Sequence, residues 1–158
     1  MTAHCTLRLA RRNEIRDIAV MSRCLVELGL RGWSWHPARV ARALHGRDSC
    51  VVVADAGRRL AGFAIAEFGD STLHLSLLAV QPAWQRCGIG SALVDWLQCS
   101  ALTAGINRID VEMRANNFAA RCFYSTLGFS PSGEIRGYYQ NIETAIRMCK
   151  HIGHLESV

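Results

Sequence analysis

Gly88 and Gly90 stand two residues apart, just after Arg86, and they open an amphipathic run through Ile89, Leu93, Val94, Trp96 and Leu97. A helix starting there presents unpaired backbone N–H groups and the positive end of its dipole. Glycine lets a ligand approach the backbone closely. With Arg86 in the basic loop ahead of it, this stretch predicts an anion site, suited to a phosphate or pyrophosphate. Further on, Ile109-Asp110-Val111-Glu112-Met113-Arg114 alternates strictly. A strand there turns Asp110, Glu112 and Arg114 to one face and the apolar residues to the other.

Other elements must hold these residues in place. Residues 6–10 alternate loosely and predict a first strand. Asn13 is the expected cap of a helix starting near Glu14, with Ile15, Ile18, Ala19, Met21 and Leu25 on one face. Gly29 is expected to end it. A loop with Trp33 and Trp35 follows, read either as a substrate lid or as a plug on the core. Pro37 suits the first turn of a second helix, running to about Leu44. Residues 49–54, 59–68 and 72–80 are strands joined by tight turns, an antiparallel meander. Pro82 stops the last of them, since proline cannot donate to a sheet ladder.

The pattern then becomes strand–helix–strand–helix–strand. The helix from Ile89 is expected to reach about Thr103 and stop before Gly105. Asn116 and Asn117 can cap the next, over residues 118–127, with Gly128 as its stop. Phe129 begins another strand after that turn, and residues 135–139 and 144–148 read as a final hairpin. No internal repeat or linker interrupts the chain, so a single domain over residues 1–158 is expected.

Composition narrows the function classes. Half the residues are hydrophobic and 20% are charged, which opposes disorder. The net charge of +5 suits an anionic ligand, but the 18 Lys and Arg are spread along the sequence. A nucleic-acid binder clusters them on one face, so none is expected as a partner. Seven cysteines without a Cys-x-x-Cys pair signal neither a zinc cluster nor a disulfide framework. Buried free thiols in a reducing cytoplasm are the plain reading, with no metal. No apolar run reaches membrane-spanning length, and no apolar signal core opens the sequence.

Three kinds of phosphate site compete for the glycine pair. A P-loop needs Gly-Lys-Ser/Thr after its gap, and that sequence is absent. A dinucleotide fingerprint needs a small third residue where Leu93 stands, and glycines directly after the strand. Here a long loop separates Val80 from Gly88, although Asp110 lies where a ribose-binding acid would. The third kind is a site for acyl-coenzyme A.

Gln85-x-x-Gly88-x-Gly90, preceded by Leu78-Ala79-Val80 and Pro82, resembles motif A of the GNAT superfamily of N-acetyltransferases. Asn117-x-x-Ala120-x-x-x-Tyr124-x-x-x-Gly128-Phe129 resembles that superfamily's next helix and strand. Glu112-Met113-Arg114-Ala115-Asn116-Asn117 resembles Glu-Val-Arg-x-x-Asn of the ribosomal-protein alanine N-acetyltransferase (RimI-like) branch. Gly137-Tyr138-Tyr139 and the segment from Glu143 to Met148 resemble its C-terminal end, with Gln140 where that branch commonly carries proline. The resemblance covers residues 73–148; residues 1–50 match in element order alone.

The resemblance implies an α/β (α+β) fold with a mixed, mostly antiparallel central sheet, splayed at the coenzyme site and flanked by helices. It implies that the backbone of Leu78, Ala79 and Val80 holds the pantetheine arm like an added strand. The N–H groups of Arg86, Cys87, Gly88, Ile89, Gly90 and Ser91 hold the pyrophosphate, and Asn117 caps its helix and touches the coenzyme. The reaction implied is acetyl transfer from acetyl-CoA to a primary amine, preferably a protein or peptide N-terminus. A small-molecule amine and a non-catalytic acyl-CoA-binding module are the alternatives. Glu112 is the expected base and Tyr124 the expected acid. An α-amino group of pKa about 8 is roughly one-tenth neutral at pH 7, so a modest base is enough. Burial that lifts Glu112 toward 7 would suit it to the task, and an ion pair with Arg114 or Arg108 is its plainer role. His74, Glu67 and Asp70 are weaker acceptor-side candidates. The protein is expected as a cytoplasmic monomer or homodimer.

Overall fold

The computed structural model describes residues 4–30, 32–139 and 143–153; the side chains of Tyr138, Tyr139 and Glu143, and Gln140 altogether, lie outside the described residues. Among the described residues, four α-helices and seven strands follow one another. They are β1 (Thr6–Leu9), α1 (Ile15–Met21), α2 (Pro37–His45), β2 (Ser49–Asp55), β3 (Leu60–Phe68), β4 (Leu73–Val80), α3 (Ile89–Thr103), β5 (Arg108–Arg114), α4 (Phe118–Thr126), β6 (Ser130–Tyr139) and β7 (Glu143–His151). The strands form one sheet of order β1-β2-β3-β4-β5-β7-β6. Every neighbouring pair is antiparallel except β4 and β5.

The sheet is apolar on both faces because helices cover both. Val52 and Ala54 of β2 join Leu93, Val94 and Leu97 of α3 in one core cluster. Val51 and Val53 alternate onto the other face, with Ile18 and Ala19 of α1 and Val40 and Ala43 of α2.

Two irregularities of β4 position the site. Its parallel ladder with β5 pairs Leu73 with Ile109, His74 with Asp110 and Leu75 with Val111. Beyond Val111 that ladder ends and the strands part, while β5 stays paired with β7 on its other edge from Arg108 to Arg114. On its other edge β4 pairs with β3, and the register slips where Ile65 faces Leu77 and Ala66 faces Leu75. Ser76 is the extra residue of that bulge, and such bulges re-aim side chains.

Several local expectations need correction. Arg11, not Asn13, occupies the first cap; its N–H donates to Glu14 Oε1 at 2.7 Å, and a 3-10 turn over Arg12–Glu14 precedes α1. A wider π turn over Ser22–Val26 continues α1, so Gly29, at φ +85°, lies beyond the helix rather than at its stop. Phe129 and residues 135–139 do not begin separate strands, because β6 runs unbroken across most of that stretch. The last two strands do form a hairpin, but β7 inserts between β5 and β6.

The Trp33–Trp35 loop plugs the core. Trp35 is buried among the α1–α2 cluster, and Trp33 Nε1 donates to the Ala19 carbonyl at 3.2 Å. The buried Glu27 carboxylate fastens the loop by accepting from Ser34 N at 2.6 Å, from Trp35 N at 3.3 Å and from Ser22 Oγ at 3.0 Å. The cysteines are free but not buried as expected: Cys24, Cys87, Cys99 and Cys122 are exposed, and Cys5, Cys50 and Cys149 are half-buried.

Candidate active site

The loop between β4 and α3 has the backbone of an anion cradle. Arg86 sits at φ +63°, a region that a non-glycine residue rarely enters, and Gly88 follows at φ +83°. Gly88 is the N-cap of α3, and the first bond of the helical ladder runs from Ala92 N to the Gly88 carbonyl. The N–H groups of Gly88, Ile89, Gly90 and Ser91 therefore precede the ladder and have no acceptor four residues back. A Cβ built at Gly88 would meet nothing within 4 Å, so the space over the loop is open. Gly90 serves packing instead: a Cβ there would lie 3.0 Å from the Phe123 ring of α4. These donors fit the phosphates of a coenzyme or nucleotide.

Leu78, Ala79 and Val80 form the end of β4 past the splay. Gln85 Nε2 donates to the Val80 carbonyl at 3.0 Å and folds the start of the loop back over the strand. Cys87 is exposed, with Sγ 3.6 Å from the Gln85 carbonyl. A separate cleft of about 770 Å³ lies between the start of α1, the β2–β3 turn and residues 81–84, lined among others by Arg8, Arg11, Arg58 and Arg59. It contains neither Glu112 nor Tyr124.

Asn117 caps α4, its side chain accepting from Ala120 N at 3.1 Å. One face of α4 is apolar, and Tyr124 is buried there, 5% exposed, edge-on to Phe123 at 5.0 Å and to Phe129 at 5.2 Å. Tyr124 belongs to the core on the α3 side of the sheet. Glu112 alternates with Val111 and Met113, which point into that core, so its carboxylate faces the α1–α2 side.

The Glu112 carboxylate is 5% exposed and engaged at both oxygens. Oε2 meets His74 Nε2 of β4, and Oε1 accepts from Arg147 Nε of β7 at 2.9 Å. The other imidazole nitrogen, Nδ1, lies 3.3 Å from Ser76 Oγ. Neither expected partner is used. Arg108 Nε pairs with Asp110 at 2.6 Å, and Arg114 donates to the Leu28 carbonyl at 2.6 Å and the Val26 carbonyl at 3.1 Å.

These contacts set the protonation balance. Burial pushes Glu112 up, but His74 and Arg147 outweigh it and hold the carboxyl below its ordinary value. The lift toward 7 that a direct base requires is therefore not met. His74 moves the other way: its bond to Glu112 raises it, against burial, with Glu67 and Asp110 adding to the rise. The arrangement is a hydrogen-bonded line, Ser76–His74–Glu112–Arg147, at the fork of β4 and β5. Sequence reading missed Ser76 and Arg147, because the bulge and the β5–β7 register leave no local mark. Among the described residues no group of three or more His, Cys, Asp or Glu is placed to hold a metal ion. No described helix is long and apolar enough to cross a membrane.

Residues 47–131 match the family model described as the acetyltransferase (GNAT) domain. The chain is 38% identical over 93 residues to the [ribosomal protein bS18]-alanine N-acetyltransferase of Salmonella typhimurium, covering 57% of this chain and 63% of that protein. It thus spans less than two thirds of that relative's length. It is 30% identical over 119 residues to an uncharacterized N-acetyltransferase of Methanocaldococcus jannaschii, covering 75% of this chain and 69% of that one. The crystal structure of the ribosomal-protein-S18-alanine N-acetyltransferase from Escherichia coli superposes with a TM-score of 0.81 at 24% identity, over 98% of this chain and 99% of the other, and shares the fold.

Proposed function

The chain belongs to the GNAT acetyltransferase family, and we propose that it moves acetyl from acetyl-CoA to a primary amine, preferably the N-terminal amine of a protein or peptide. The observation that carries this reading is the fork of β4 and β5, with open backbone donors at the end of one strand and a buried carboxylate on the other. Similarity to a relative named for alanine N-acetylation supports the choice of acceptor. The setting proposed is cytoplasmic, for one acetyltransferase domain over residues 1–158 acting as a monomer or homodimer, with no metal, nucleic acid or membrane taking part.

Leu78, Ala79 and Val80 offer a strand edge along which a pantetheine arm can lie, once Gln85 yields the Val80 carbonyl. The N–H groups from Arg86 to Ser91 receive the pyrophosphate, each helix-end contact adding roughly 0.3–1 kcal/mol. Asn117 orders the start of α4 beside the same ligand. Acetyl-CoA supplies an acetyl thioester. Glu112 is the carboxylate toward which the amine's proton is drawn on one side of the sheet. Tyr124, on the other side, donates a proton to the departing thiolate. The fork is the passage between the two faces.

Thiol release with acetyl-CoA tests the reading. Turnover of a peptide with a free N-terminus, lost when that terminus is blocked, is the expected result. Turnover of polyamines or amino sugars but not of the peptide moves the assignment to a small-molecule amine. Tight acetyl-CoA binding without release on any amine makes the protein an acyl-CoA-binding module.

A further inference from the structure

We propose that His74 receives the proton leaving the amine, with the Ser76 hydroxyl handing it to Nδ1 and Glu112 holding the imidazole in place. The proposal rests on the acetyl-transfer reading and names the group through which Glu112 acts.

Geometry carries it. A carboxylate only accepts hydrogen bonds, so contact with Glu112 Oε2 assigns the hydrogen of the neutral imidazole to Nε2. Nδ1 is then the lone-pair nitrogen, and it faces Ser76 Oγ at 3.3 Å. The bulge at Ser76 and the end of the β4–β5 ladder at Leu75 fall together, so this nitrogen sits at the mouth of the fork. Glu112 is buried at 5% exposure and anchored by Arg147. His74 is 34% exposed, which gives the proton a way out to solvent.

Chemistry agrees. A carboxylate held low by an imidazole and a guanidinium binds a proton poorly at neutral pH. An imidazole raised from its ordinary value lies closer to an α-amino group of pKa about 8. The charged groups around His74 are Glu67, its register partner on β3, Asp110, its partner on β5, and Glu112. Asp110 is partly neutralised by Arg108, and Glu112 by Arg147.

The step balances. The ammonium gives a proton to Ser76 Oγ as the hydroxyl gives its own to Nδ1, so the serine is unchanged and His74 becomes imidazolium. The neutral amine forms its C–N bond as the C–S bond breaks, and Tyr124 protonates the thiolate. The imidazolium then releases its proton to solvent.

His74→Gln keeps an N–H donor for Glu112 but cannot take up a proton. It is expected to lower kcat/KM for a free-N-terminus peptide by about 10²-fold and to remove the acidic limb of the pH–rate profile. Acetyl-CoA affinity by calorimetry is expected to stay unchanged. In the free protein, the His74 ring protons should titrate above the ordinary histidine value by NMR and move back down in Glu112→Gln. A His74→Gln protein with the unaltered rate and pH profile overturns the relay alone, as does an unshifted His74 titration. Failure of the unaltered protein to turn over any amine overturns the acetyl-transfer reading and the relay with it.

Discussion

Glu112 Oε1 accepts a hydrogen bond from Arg147 Nε at 2.9 Å, and the two residues are direct register partners across β5 and β7. The guanidinium is 40% exposed and the carboxylate 5%, so the arginine lends charge from the rim to a buried group. Glu112 has a depressed folded-state pKa, so its stabilising contribution is present above its unfolded value and is lost as pH falls through the folded one. Arg147→Met removes one of the two groups that depress it. The folded value rises, and acid unfolding is expected to begin at a higher pH. With a solvent-screened partner the loss at neutral pH should be small, about 1 kcal/mol or less. Urea midpoints measured across acid pH check both points.

Glu27 is a structural carboxylate. Its oxygens accept from Ser34 N, Trp35 N and Ser22 Oγ inside the α1–α2 core. Glu27→Ala strands those donors in a buried setting, and each unsatisfied group costs about 1–3 kcal/mol. The expected loss is about 3 kcal/mol in chemical denaturation. Acetyl-CoA binding should survive below the unfolding transition, because the loop closes over the face opposite α3.

Gly88 and Gly90 should respond differently to alanine. At Gly88 a Cβ finds open space but must adopt φ +83°, a left-handed cost of about 1–2 kcal/mol. The same Cβ intrudes on the face a phosphate would approach, so acetyl-CoA affinity should fall with stability. At Gly90 the Cβ presses on the Phe123 ring at 3.0 Å, and the α3–α4 contact has to give. Gly90→Ala is expected to lower the melting temperature. Calorimetric titration beside thermal melts separates the two effects.

Tyr124→Phe removes a hydroxyl and leaves the ring in its edge contacts with Phe123 and Phe129. If Tyr124 is the acid, kcat should fall by about 10²-fold or more, with acetyl-CoA affinity kept and far-UV circular dichroism unchanged. An unchanged kcat removes Tyr124 from the mechanism.

Much of the frame is legible in the residues. Strict alternation placed β5, with Glu112 opposite Val111 and Met113. The apolar run through Leu97 placed α3, and Pro82, Gly88 and Gly90 marked the loop before it. Asn117 was readable as the cap of α4, because a side-chain oxygen three residues before an N–H is a local signal. The start of α1 is not legible in the same way, because Glu14 reaches back to accept from the Arg11 N–H and the cap falls at Arg11, although Asn13 is the better capping residue by type.

What the sequence determined by itself is therefore what depends on near neighbours: periodicity, caps, turns and the cradle built from one loop. Tertiary structure alone decided the partners of Glu112. His74 lies 38 residues away and Arg147 lies 35 away, on strands that border β5 on opposite sides. Strand order and register are settled by packing both sheet faces at once, and a slip of one residue would turn each of these side chains to the other face. The bulge at Ser76 has the same origin, since it exists only relative to β3. A carboxylate readable as a lone base in one strand became the middle of a four-residue line only when three strands met.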